Sequence, residues 1–137
     1  MFIAKVYTVS IVSPGVTIEE EHIARETLNR WNAENGKEKG KVFLPLPSDS
    51  TAEPDIFIFA IDNFVDKTKV EAAIATGAKV ILFFRNSHDK NNTLTSELQA
   101  IQEIKASTKA ICIEYNGPAT FSQALKIAVF QTIVFWL

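Results

Sequence analysis

The chain has 137 residues, 47% hydrophobic and 22% charged, with a formal net charge of -2 and a pI near 5.7. That length suits one domain with a single core, and the composition excludes a disordered chain. Slight acidity and the lack of a Lys/Arg-rich stripe argue against nucleic acid as a partner.

The single cysteine, Cys112, lies in the apolar run Ala110-Ile-Cys-Ile-Glu-Tyr115. One thiol cannot make an intrachain disulfide, which fits a reducing, cytoplasmic setting, and the run marks it as a small buried residue. The opening Met-Phe-Ile-Ala-Lys is not a signal peptide, because Lys5 and Thr8 interrupt the apolar run. No stretch reaches the roughly 18 apolar residues that a bilayer span needs.

Taken in order, the first predicted strand is Lys5 to Val12, rich in β-branched residues and broken by Ser13-Pro14-Gly15. A helix follows from about Ile18 to Asn35, with Ile23, Ala24, Thr27, Leu28 and Trp31 as its stripe. Glu19, Glu20 and Glu21 fill its first turn, where the helix dipole favours acids. Asn35-Gly36 is a good helix stop.

The second strand, Lys41 to Leu46, ends at two prolines, and Ser48 to Pro54 is turn-forming. Asp55 to Ile61 is a third strand, apolar at nearly every position, as expected when both faces are covered. A short helix over Lys67 to Thr76 closes at Gly77, and Lys79 to Phe84 is another doubly covered strand. A loop at Arg85 to Asn92, a helix over Leu94 to Lys105, a strand over Ala110 to Tyr115 and a helix over Ala119 to Leu137 complete the pattern.

Apolar strands alternating with helices predict an α/β three-layer sandwich around a five-stranded, mostly parallel sheet. The series suggests the flavodoxin-like order 2-1-3-4-5. The helix between strands 2 and 3 is missing. A parallel arrangement therefore needs a stretched crossing of about eight residues, which reach about 26 Å at full extension. Two prolines suit that crossing better than an antiparallel strand.

In such a sheet, ligands bind beyond the carboxyl ends of the strands near the switch point. That criterion selects Ser10, Ser13, Pro14 and Gly15, then Asp62 and Asn63, then Arg85 to Asp89. Ser13-Pro14-Gly15 feeding a helix offers backbone N–H groups and a hydroxyl, which suits a phosphate or a ribose. Asp62 and Asn63 suit a ribose hydroxyl, or simply solvate a strand end. His88 beside Asp89 in an exposed loop, and His22 among glutamates, read as surface residues. Two histidines and one buried-type cysteine make no zinc site, and there is neither a Walker A loop nor Gly-x-Gly-x-x-Gly. No metal or cofactor is implied.

The last helix has two apolar stripes, Ile127, Phe130, Val134, Leu137 and Leu125, Val129, Ile133, Trp136. One stripe would pack on the sheet, leaving the other for a homodimer or another partner chain, or for burial within the fold itself.

Val9-Ser-Ile-Val-Ser-Pro-Gly15, Glu19-Glu20-Glu21, Arg25-Glu26, Trp31-Asn-Ala-Glu-Asn-Gly36 and Val42-Phe-Leu-Pro45 resemble a bacterial domain of unknown function. That domain is akin to the nucleoside 2-deoxyribosyltransferases and the TIR-type NAD-cleaving domains. Asp55-Ile-Phe-Ile-Phe-Ala60 and Ala73-Ile-Ala-Thr-Gly-Ala-Lys-Val-Ile-Leu-Phe-Phe84 continue the resemblance, which spans residues 5 to 84 with gaps.

The resemblance implies a nucleotide or nucleoside ligand and a glutamate, before the fourth strand, acting at the sugar anomeric carbon. Lys69 stands where that acid is expected, and a lysine cannot serve as carboxylate nucleophile or stabilise an oxocarbenium ion. Glu71 lies about 200° further round the helix. The family's helix between strands 2 and 3 and its Gly- and Thr-rich loop after strand 3 are also missing.

The leading expectation is a non-catalytic nucleotide-binding-like domain for recognition or assembly, suited to a phage-derived or mobile gene set. One alternative is a nucleoside or NAD N-glycosidase or deoxyribosyltransferase using Glu71. Another is a subunit that docks through its C-terminal helix.

Overall fold

The structure is a computed structural model that describes residues 3–12, 18–47, 52–61, 67–85 and 111–128. Five strands form one sheet: β1 (Lys5–Val12), β2 (Lys41–Pro45), β3 (Ile56–Ile61), β4 (Lys79–Arg85) and β5 (Ile111–Tyr115). Their order is β2-β1-β3-β4-β5, and every neighbouring pair is parallel. The mostly parallel sheet expected from the sequence is thus wholly parallel. β2 and β3 both run parallel to β1, so neither strand turns antiparallel.

Three helices are described: α1 (Ile18–Lys39), α2 (Lys67–Ala75) and α3 (Pro118–Ala128). The helix predicted over Leu94 to Lys105 lies outside the described residues, as does the last helix beyond Ala128.

Strand alternation divides the core in two, because successive side chains leave opposite faces. On one face Val9, Ile11, Phe43, Ile56, Ile58, Ile81, Phe83 and Tyr115 meet Leu28 and Trp31 of α1 and Phe121 and Leu125 of α3. On the other, Phe59, Ile61, Val80, Leu82 and Phe84 meet Val70 and Ala73 of α2. Edge-on ring pairs lock the first face, Trp31 with Phe43 at 5.0 Å and Phe83 with Phe121 at 5.1 Å between centroids. Cys112 is half-buried against the α2 face rather than fully buried.

No helix is found between β2 and β3 among the described residues, and this has a visible consequence. Val6 of β1 and Leu44 of β2 share the α2-side face, and they are 53% and 50% exposed. That corner of the sheet bears apolar side chains that no described helix covers.

Helix α1 runs one turn past the stop expected at Asn35-Gly36. It ends at Gly40, whose φ of 66° is the left-handed conformation that glycine adopts cheaply. The Gly40 N–H donates to the Gly36 carbonyl at 2.8 Å, and the Gly40 carbonyl accepts from the Lys5 N–H at 2.9 Å. The stop therefore sits where the chain must enter β2 beside β1.

Asn32 joins α1 to the edge strand β2. Its amide donates to the Phe43 carbonyl at 2.7 Å and its carbonyl accepts from the Phe43 N–H at 2.8 Å. The side chain occupies backbone groups that another strand would pair with. Arg25 donates to the Leu46 carbonyl at 2.7 Å and to Glu21 at 3.2 Å, so α1 also holds the start of the crossing. At the far end, Asp55 accepts from the Thr8 N–H at 2.9 Å.

Candidate functional site

The carboxyl edge of the sheet on the α1–α3 face gathers the polar groups of greatest interest. Glu20, in the first turn of α1, is fully buried. It lies four residues before Ala24 and eight before Leu28, on the stripe that faces the sheet. Tyr115, the last residue of β5, donates its phenolic hydroxyl to Glu20 Oε2 at 2.9 Å. The Tyr115 ring packs on Phe121 of α3 at 5.0 Å between centroids. One carboxylate oxygen is thereby satisfied, while Glu20 Oε1 is buried without a hydrogen-bond partner among the described residues.

Removing a carboxylate from water is costly unless its oxygens find donors or favourable dipoles. Two features offset the cost here: the Tyr115 hydroxyl and the positive end of the α1 dipole. The open Oε1 is an acceptor with no donor supplied by the described fold. Two turns further along the helix, Thr27 and Ser122 lie 3.3 Å apart across the α1–α3 seam.

Arg85 ends β4 and is the register partner of Tyr115. Alternation along β4 puts it on the face of Ile81 and Phe83, the side on which Glu20 and Tyr115 meet. Arg85 is half-buried, and its side chain has no ion pair among the described residues.

Of the residues selected from the sequence, Arg85 lies at this edge, and the others fall differently. Ser10 is half-buried in β1, level with Phe57, on the face away from α1. Ser13, Pro14, Gly15, Asp62 and Asn63 lie outside the described residues, as do His88 and Asp89. Lys69 and Glu71 are both exposed on α2, whose Val70 and Ala73 turn inward. They therefore stand on the helix that covers the sheet face opposite Glu20.

Glu20 is the residue that the sequence reading missed. As a first-turn acid it reads only as a partner of the helix dipole. Its place at the head of the series Glu20, Ala24, Leu28 and Trp31 was the available signal. No helix among the described residues is long and apolar enough to cross a membrane. No group of three or more His, Cys, Asp or Glu side chains among them could hold a metal ion.

No family model matches the chain, and no curated protein matches it. Among solved structures it is similar to a de novo designed Rossmann 2x3 fold protein determined by solution NMR. The TM-score is 0.51 at 14% identity, and the match covers 92% of this chain and 90% of the designed one. At that identity the likeness speaks for fold alone. The chain has a Rossmann-like α/β fold with the strand order 2-1-3-4-5.

Proposed function

We propose that this protein is a non-catalytic nucleotide-binding-like domain that acts in recognition or assembly. The observation that carries the reading is the exposure of Lys69 and Glu71 on α2, on the opposite side of the sheet from the buried Glu20. A carboxylate that attacks a sugar or stabilises an oxocarbenium ion must be held against it in a water-poor site. Glu71 has no such setting, and the Lys69 charge would oppose the developing cation. Glu20 and Tyr115, in contrast, are fixed by packing at the sheet edge where this fold class takes its ligands.

The test is incubation of the purified protein with deoxynucleosides, deoxynucleoside 5'-phosphates and NAD. Saturable binding without release of free base supports the reading. Base release that Glu71→Gln abolishes overturns it in favour of an N-glycosidase or deoxyribosyltransferase.

A second reading, docking through the last helix, also has an observation in its favour. Leu125 is buried against the sheet, while Ile127, which begins the other stripe, is 46% exposed. Light scattering decides it: a dimer or larger species that Ile127→Lys converts to monomer supports docking, and a monomer at all concentrations contradicts self-association.

A further inference from the structure

We propose that Arg85, Tyr115 and Glu20 together bind a phosphorylated sugar at the carboxyl end of the sheet, on the α1–α3 face. The inference deepens the nucleotide-binding reading by naming the part of the ligand that is held and the groups that hold it. Its basis is the convergence of three separate elements. Arg85 and Tyr115 end adjacent strands as register partners, and Tyr115 touches Glu20 at 2.9 Å.

The chemistry of each group restricts the ligand. Arg85 is a permanent cation with a planar fork that matches the oxygens of a phosphate, and it is half-buried, which strengthens such a pair. Glu20 Oε1 is buried with no hydrogen-bond partner among the described residues, and a sugar hydroxyl can serve such an oxygen as donor or as acceptor. It therefore calls for a hydroxyl.

A bare phosphate would satisfy Arg85 but be repelled by Glu20. A metal cation would satisfy Glu20 but be repelled by Arg85. A molecule with a phosphate at one end and hydroxyls a few bonds away satisfies both. The Tyr115 hydroxyl occupies Oε2, which leaves the buried Oε1 as the carboxylate oxygen without a partner among the described residues.

Calorimetric titration of the whole chain with ribose 5-phosphate, inorganic phosphate and ribose tests the assignment. Ribose 5-phosphate should bind more tightly than either half alone. Arg85→Met should weaken ribose 5-phosphate and inorganic phosphate by about tenfold or more, with partial recovery in Arg85→Lys. Glu20→Gln should weaken ribose 5-phosphate while leaving inorganic phosphate unchanged or tighter. Far-UV circular dichroism and the urea midpoint report whether each variant is folded. Should Glu20→Gln unfold, the Arg85 variants at the strand end still decide the matter.

No binding of ribose 5-phosphate by the wild-type chain overturns the proposal, and so does an affinity that Arg85→Met leaves unchanged. Deoxynucleoside 5'-phosphates that bind equally well to Arg85→Met would sink this site and leave the nucleotide reading standing. Binding of ribose 5-phosphate without any binding of nucleosides or nucleotides would do the reverse.

Discussion

Tyr115 at the end of β5 donates its hydroxyl to Glu20 in the first turn of α1, at 2.9 Å, across 95 positions of sequence. Both groups are buried, so the bond ties the start of the first helix to the last strand of the sheet. Removing the hydroxyl leaves a buried carboxylate with no donor among the described residues. Tyr115→Phe should therefore cost about 1–3 kcal/mol in urea unfolding. The double change Glu20→Met with Tyr115→Phe should cost less than Tyr115→Phe alone, because it removes the stranded charge as well. Additive costs would mean that the pair does not act as a unit.

Asn32 supplies the second long tie, with its amide donating to and accepting from the Phe43 backbone at 2.7 and 2.8 Å. Asn32→Ala should strip both bonds from the edge strand and lower stability by about 1–3 kcal/mol. Amide exchange adds a specific readout. The Phe43 N–H should lose protection well before the N–H groups of β3 and β4.

Two glycines four residues apart should answer to alanine with opposite signs. Gly40 has φ of 66°, so Gly40→Ala should destabilise by about 1–2 kcal/mol. Gly36 lies inside α1, and a Cβ there meets the Lys41 carbonyl and Val42 Cγ2 at 3.4 Å, at the margin of ordinary contact. Gly36→Ala should raise stability by about 0.5–1 kcal/mol through helix propensity. Melting temperatures of the two variants check the pair, and a loss in both would show that a Cβ at position 36 is not accommodated against Lys41 and Val42.

The uncovered corner of the sheet gives a contrast of magnitude. Leu44, half exposed, should tolerate Leu44→Thr within about 0.5 kcal/mol. Leu82, fully buried under α2, should lose about 2–5 kcal/mol on Leu82→Ala. Comparable losses at both positions in denaturant titrations would show that something covers Leu44 in solution.

The topology was legible because β3 and β4 are apolar at nearly every position, which only a doubly covered parallel strand requires. The parallel direction of β2 and β3 followed from chain reach and two prolines. The helix end was less legible, since Asn35-Gly36 has the chemistry of a stop. Packing of Trp31 and Asn32 against Phe43 carries the helix on to Gly40, which must hand the chain to β2 beside Lys5.

At the site, sequence order favoured the loop after β1 and hid the pairing of Glu20 with Tyr115. A contact spanning most of the chain leaves no local pattern. Only the coincidence of Glu20 with the apolar stripe of α1 hinted at its burial. The exposure of Val6 and Leu44 was hidden too, because both read as ordinary strand residues.

The central claim is that ligand binds at the carboxyl edge on the α1–α3 face and is not turned over at α2. A nitrogen-15 amide titration with a deoxynucleoside 5'-phosphate tests it most directly. The account predicts saturable shifts at Glu20 and its neighbours in α1, at Arg85 and at Tyr115, with Lys69 and Glu71 unmoved. Shifts centred on Lys69 and Glu71, or none at any residue at saturating nucleotide, would contradict it.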